Sequence, residues 1–182
     1  MKNRFRMGLI LMASAFVMGC ATNLPKPQSA PVASKMKFRE FTAVEMKPAV
    51  LNPKDAEYGA NQKALVKINE LLSQAMAKEF SHFKEVNAFS SGSAGTLQIT
   101  PVVEDIKFIG GAARFWAGAM AGSSAVRMQV EYKDGRTGNL LANPEFYQDA
   151  NAWGGAWSMG GSDNMMLDHI VMDIISYTSA NQ

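Results

Sequence analysis

The chain has 182 residues, 47% of them apolar and 19% charged, enough for one domain and too apolar for wholesale disorder or a fibrous repeat. Its formal charge of +2 depends on the first six residues: removing Lys2, Arg4 and Arg6 from the 18 basic residues leaves 15 against 16 acidic ones. No basic footprint for nucleic acid remains.

Lys2, Arg4 and Arg6 precede an uncharged apolar run from Met7 to Gly19. At about 13 residues it fits the core of a signal peptide and falls short of the roughly 20 residues that span a bilayer. The run ends in Val17-Met18-Gly19-Cys20, which resembles the bacterial lipobox. That resemblance implies cleavage before Cys20 and a diacylglycerol on its thiol, with each buried methylene contributing about 0.8 kcal/mol to anchoring. The competing reading is an ordinary secretory signal, or a short membrane anchor, with a stray cysteine. Cys20 is the only cysteine, so no disulfide framework exists and the mature domain must be held by its core. Ala21, where an aspartate would imply inner-membrane retention by resemblance to enterobacterial sorting, points to the periplasmic side of the outer membrane. Residues 1–19 are thus expected as signal peptide and 20–36, with three prolines, as a lipidated cysteine and flexible tether. Residues 37–182 are expected to form a single periplasmic domain.

Within that domain Phe38–Met46 reads as a first strand, stopped by Pro48, and Asn52-Pro53-Lys54-Asp55 reads as a turn. Leu65, Ile68, Leu72, Met76, Phe80 and Phe83 recur at three- and four-residue steps, which predicts a helix over Tyr58–Phe83. Thr96–Ile109 reads as a strand whose Pro101 implies a bulge or an edge. Val126–Tyr132 alternates apolar and polar, predicting a strand with one wet face. Asp134-Gly135 and Thr137-Gly138 predict a hairpin whose return strand covers Leu140–Tyr147. A last helix, capped by Ser162 or Asp163, buries Met166, Leu167, Ile170, Val171 and Ile174. The order predicts an α+β, two-layer domain: a mostly antiparallel sheet packed against two helices.

Two small-residue stretches interrupt this pattern. In residues 110–124 Arg114 is the only charge, Phe115 and Trp116 follow it, and Gly118 with Gly122 makes a G-xxx-G step. Residues 152–161 set Trp153 and Trp157 among glycines. An exposed indole is costly unless it meets a partner, a ligand or lipid. Three readings compete: two loops packed on the sheet, a protein-contact surface, and membrane insertion.

The runs LQITPVVEDIKFIGGAARFWAGAMAGSSAVRMQVEY and AWGGAWSMGGSDNMMLDHIVMDI, with the DGRTGNLLANPEFYQ hairpin between them, resemble a bacterial lipoprotein family defined only as a domain of unknown function. The element order is also similar, more distantly, to periplasmic α/β modules of curli-secretion and TolB-type envelope proteins. These resemblances imply a fold and a location, and no chemistry.

No catalytic constellation emerges. Ser81-x-x-Lys84, Ser162-Asp163-Asn164 and Arg136-Thr137-Gly138 imitate the motifs of penicillin-recognising enzymes, but in the wrong order and in too short a domain. His169 and Asp173 lie one helical turn apart without a third ligand, so a solvated pair is the simpler reading. Glu104 and Asp105 are neighbours on a strand and diverge to opposite faces. The sequence therefore predicts a non-enzymatic envelope accessory or assembly factor without metal or cofactor. Its membrane contact is the Cys20 lipid. Its partner is an envelope protein or a second copy, met through Arg114, Phe115, Trp116, Gly118, Gly122, Trp153 and Trp157. The alternative is a small-ligand or glycan carrier with the tryptophans lining a pocket, or, less favoured, a cell-wall enzyme.

Overall fold

The computed structural model of the protein describes residues 24–90, 92, 94–109, 123–150 and 161–182. Among them run, in order, a 3-10 turn at Phe38–Glu40, β1 (Ala43–Met46), β2 (Val50–Leu51), a second 3-10 turn at Pro53–Asp55, α1 (Gly59–Glu79), β3 (Phe83–Glu85), β4 (Thr96–Lys107), β5 (Ala125–Asp134), β6 (Leu140–Ala142), β7 (Glu145–Asp149) and α2 (Gly161–Ala180). The strands form one mixed sheet in the order β3-β1-β4-β5-β6, with β2 also on β4 and β7 also on β5. β1 pairs in parallel with β3 and β4, and β2 in parallel with β4; the longer ladders of β5 with β4, β6 and β7 are antiparallel. The helices pack on each other and on one face of the sheet, giving the two-layer α+β fold.

The core is the one the periodicities mark. Ile68, Leu72 and Met76 of α1 meet Leu97, Ile99 and Val103 of β4, and Met166, Ile170 and Ile174 of α2 complete the layer. Burying such a side chain stabilises by roughly 1.5–3 kcal/mol. In β5 Val126, Met128, Val130 and Tyr132 are buried in strict alternation. Tyr132 stacks on Phe38 at 4.9 Å between ring centres and pairs its hydroxyl with Thr178 Oγ1 at 2.8 Å, satisfying a phenol that is fully enclosed. Burial raises that phenol above its ordinary value, against the opposing pull of the Thr178 hydrogen bond.

Several boundaries differ from the sequence reading. Phe38 sits not in a strand but in a 3-10 turn, because its ring is drawn into the aromatic cluster of Tyr132 and Tyr177. α1 stops at Glu79 and Phe83 opens β3, so Ser81 and His82 lie in the turn between them and Lys84 on the strand. The return strand is broken by Asn143-Pro144 into β6 and β7. The bulge expected near Pro101 lies at Glu104, between the pairs Val103–Met128 and Asp105–Arg127. Pro101 needs no bulge: Ile99 and Val103 accept from Lys47 and Asn52 on one side of β4, so the proline nitrogen points into the gap between β1 and β2. A missing donor costs nothing where the neighbouring strand is itself interrupted.

Candidate interaction surface

The face of the sheet away from the helices is polar, and its wiring begins at the bulge. Up to Val103 the odd residues of β4 face the core; beyond Glu104 the even residue Ile106 does. The extra residue thereby turns Asp105 outward, opposite Arg127, rather than into the apolar layer. Asp105 takes hydrogen bonds from Lys54 and Arg127, and Arg127 Nη1 reaches Glu145 Oε1 at 3.0 Å. Glu104 accepts from Asn52 Nδ2 at 3.3 Å. The expectation that Glu104 and Asp105 diverge to opposite faces is thus corrected: Val103 and Ile106 take the core side, and the extra residue at the bulge leaves both carboxylates on the outer face, with different partners. Burial alone would raise the Asp105 carboxyl, but the bonds from Lys54 and Arg127 hold it below its ordinary value. Burial lowers and Asp105 and Glu145 raise the Arg127 guanidinium, with a net rise. Such a chain of mutually neutralised charges ties β4, β5 and β7 together across the outer face of the sheet.

The segment expected as tether has no helix or strand from Leu24 to Met36, as its prolines require, yet it lies on the domain. Lys26 pairs with Asp149 at 2.9 Å and sits 5.4 Å from the centre of the Tyr147 ring; the hydrogen bond to Asp149 raises the Lys26 ammonium above its usual value. The carbonyl of Val32 accepts from the Tyr177 hydroxyl at 2.7 Å, and Ser34 N–H donates to Asn181 Oδ1 at 2.8 Å. Lys35 N–H donates to the carbonyl of Leu141 in β6 at 3.1 Å. These contacts run from the end of β7 back to β6, so the strap lies antiparallel along the β6–β7 edge and covers it. A groove of about 400 Å³ remains between Pro27–Ala33 and Leu140–Glu145. Sequence reasoning missed this strap. Its one legible sign was the placing of Tyr147 and Asp149 two residues apart, on the same polar face of a strand.

Cys20, Arg114, Phe115, Trp116, Gly118, Gly122, Trp153 and Trp157 lie outside the described residues. Their flanking strands do converge. Lys107 pairs with Ala125 and Ala125 with Asp149, so the three strand ends that bound residues 110–122 and open residues 151–160 stand side by side. The last turn of α2 reaches Tyr132 near the far end of β5, which directs the start of α2 to this same end. A cavity of about 360 Å³ opens here, lined by Leu24, Tyr58, Asn61, Asp105, Lys107 and Phe108 among others. Asp173 accepts from Gln148 Nε2 at 2.6 Å, and the described residues contain no cluster of three or more metal-ligating side chains. No described helix is long and apolar enough to cross a membrane.

No family model matches the chain, and no curated protein matches it. Solved structures do. Protein XCC0632 from Xanthomonas campestris, a DUF330 protein, aligns with a TM-score of 0.50 at 10% identity over 86% of this chain and 90% of that one. The likeness is one of fold. PelC from Paraburkholderia phytofirmans, crystallised as a dodecamer, aligns at 0.47 and 11% identity over 80% of this chain and 93% of its own. Lipoprotein GNA1162 from Neisseria meningitidis aligns at 0.37 and 11% identity, covering 74% and 98%. The arrangement of two helices on a mixed sheet is thus one that XCC0632 also builds.

Proposed function

We propose that the protein is a lipid-anchored lipoprotein of the bacterial envelope, on the periplasmic face of the outer membrane, acting as a non-enzymatic accessory or assembly factor. The observation that carries this reading is the convergence of Lys107, Ala125 and Asp149 at one end of the sheet. It brings together strand ends that bound both Gly/Trp-rich segments. Contact surfaces draw their energy from a few such aromatic and arginine anchors. The partner is an envelope protein or a second copy of the chain. The lipobox-like Val17–Cys20 supports the anchor, and the neutralised Lys54–Asp105–Arg127–Glu145 chain supports a binding rather than a catalytic role.

Photo-crosslinking in cells from position 116, with Cys20 intact, tests this. A discrete adduct, identified by mass spectrometry, is the expected result. A clean blank from a folded, membrane-bound protein would transfer support to the ligand-carrier reading, for which saturable quenching of tryptophan fluorescence by an envelope glycan is the corresponding signal.

A further inference from the structure

We infer that the end of the domain formed by Leu24, Tyr58 and Phe108 rests on the lipid headgroups, held there by the strap. The inference rests on lipidation at Cys20 as proposed above. With the strap docked, only the residues from Lys26 back to Cys20 separate its first contact from the lipid. Six residues reach at most about 20 Å. β5, whose Ala125 pairs with Asp149 beside Lys26, carries its other end to the 135–138 hairpin across 10 residues. That is about 33 Å of sheet. If the hairpin faced the bilayer, Lys26 would stand farther from it than its leash can reach. A free tether starting at Met36 would reach about 50 Å and allow either orientation. The strap removes that freedom. The chemistry of the favoured end agrees: Leu24 and Phe108 are half-buried, and Tyr58 is 63% exposed, an amphipathic ring of the kind enriched where apolar chains meet headgroups. It follows that the strand ends bounding the Gly/Trp-rich segments, Lys107, Ala125 and Asp149, face the membrane surface rather than the open periplasm.

The test uses the full lipidated chain, in which Cys20 is acylated and a second, introduced cysteine is the only free thiol. An environment-sensitive NBD probe is attached to Tyr58→Cys or to Thr137→Cys in the exposed hairpin. Each protein is reconstituted into phosphatidylethanolamine–phosphatidylglycerol vesicles containing nitroxide-labelled lipid. The expected result is severalfold stronger quenching, with a blue shift, at position 58. Equal quenching at the two sites, or stronger quenching at 137, in a chain that incorporates labelled palmitate overturns the orientation and leaves the lipoprotein reading standing. A chain that takes up no palmitate overturns both. Lys26→Glu, which repels Asp149, should narrow the difference between the two probes; an unchanged difference would overturn the role of the strap.

Discussion

Asp105 shows how one carboxylate can look functional and be structural. It is 8% exposed and bonded to two cations, one of them half in water. The hydrogen bond from the better-buried Arg127 is worth more than that from Lys54, whose side chain is 54% exposed and screened. Replacing Asp105 by Asn should cost roughly 2 kcal/mol, read from the urea midpoint. The pH dependence has a definite sign. The carboxyl titrates lower in the folded protein than its ordinary 3.8. The unfolded chain therefore binds the proton first as acid is added, and the stability contributed at pH 7 is lost as pH falls through the folded value. Thermal melts below about pH 4 should fall more steeply for the natural protein than for Asp105→Asn. Equal slopes would mean that Asp105 does not carry this charge balance.

At the scale of the element, β4 is the informative strand. Regular pairing carries its odd residues toward the helices, and continuing that rhythm would drive Asp105 into the core and Ile106 out of it. Glu104 is the residue that resets the phase. Its deletion leaves Val103–Met128, Asp105–Arg127 and Ile106–Val126 in place and forfeits the bond from Asn52, at a cost of about 1.5–3 kcal/mol. Deleting Thr100 instead puts one half of the strand on the wrong face, and the fold should be lost. Circular dichroism and urea unfolding of the two deletions decide this: equal damage would show that the bulge is not the register device. β5 and α2 could be read from sequence because Val126–Tyr132 and Met166–Ile174 bury one face against one neighbour. β4 was harder to read, since its phase changes midway and periodicity assumes that it does not. β2 and β3, two and three residues long, carry too few side chains to show a period at all. The aromatic pull on Phe38 is a tertiary effect that overrides its strand preference.

Over the whole molecule the strap joins the two ends of the described chain. Asn181 receives Ser34 N–H on its side chain and Phe38 N–H on its carbonyl, and Tyr177 holds Val32. Each such bond is worth roughly 1 kcal/mol, so the Tyr177→Phe, Asn181→Ala double variant should speed hydrogen exchange at the Ser34 and Lys35 amides by tenfold or more while leaving β5 protected. Slowed or unchanged exchange would show that the strap is held by other contacts. The prolines of the expected tether did mark residues 24–36 as free of helix and strand. The sequence could not show where they lie, because the groups that hold the strap sit more than a hundred residues away and most of its bonds use backbone atoms, which carry no sequence signature.

The direction of that strap has a mechanical consequence. A membrane on the Leu24 side pulls the chain along the strap's own axis, so the contacts of Lys26, Val32, Ser34 and Lys35 share the load. Contacts loaded together in shear part at a far higher force than the same contacts peeled one at a time. The leash therefore keeps its reach of about 20 Å when the membrane or a neighbour moves, and the domain travels with its anchor.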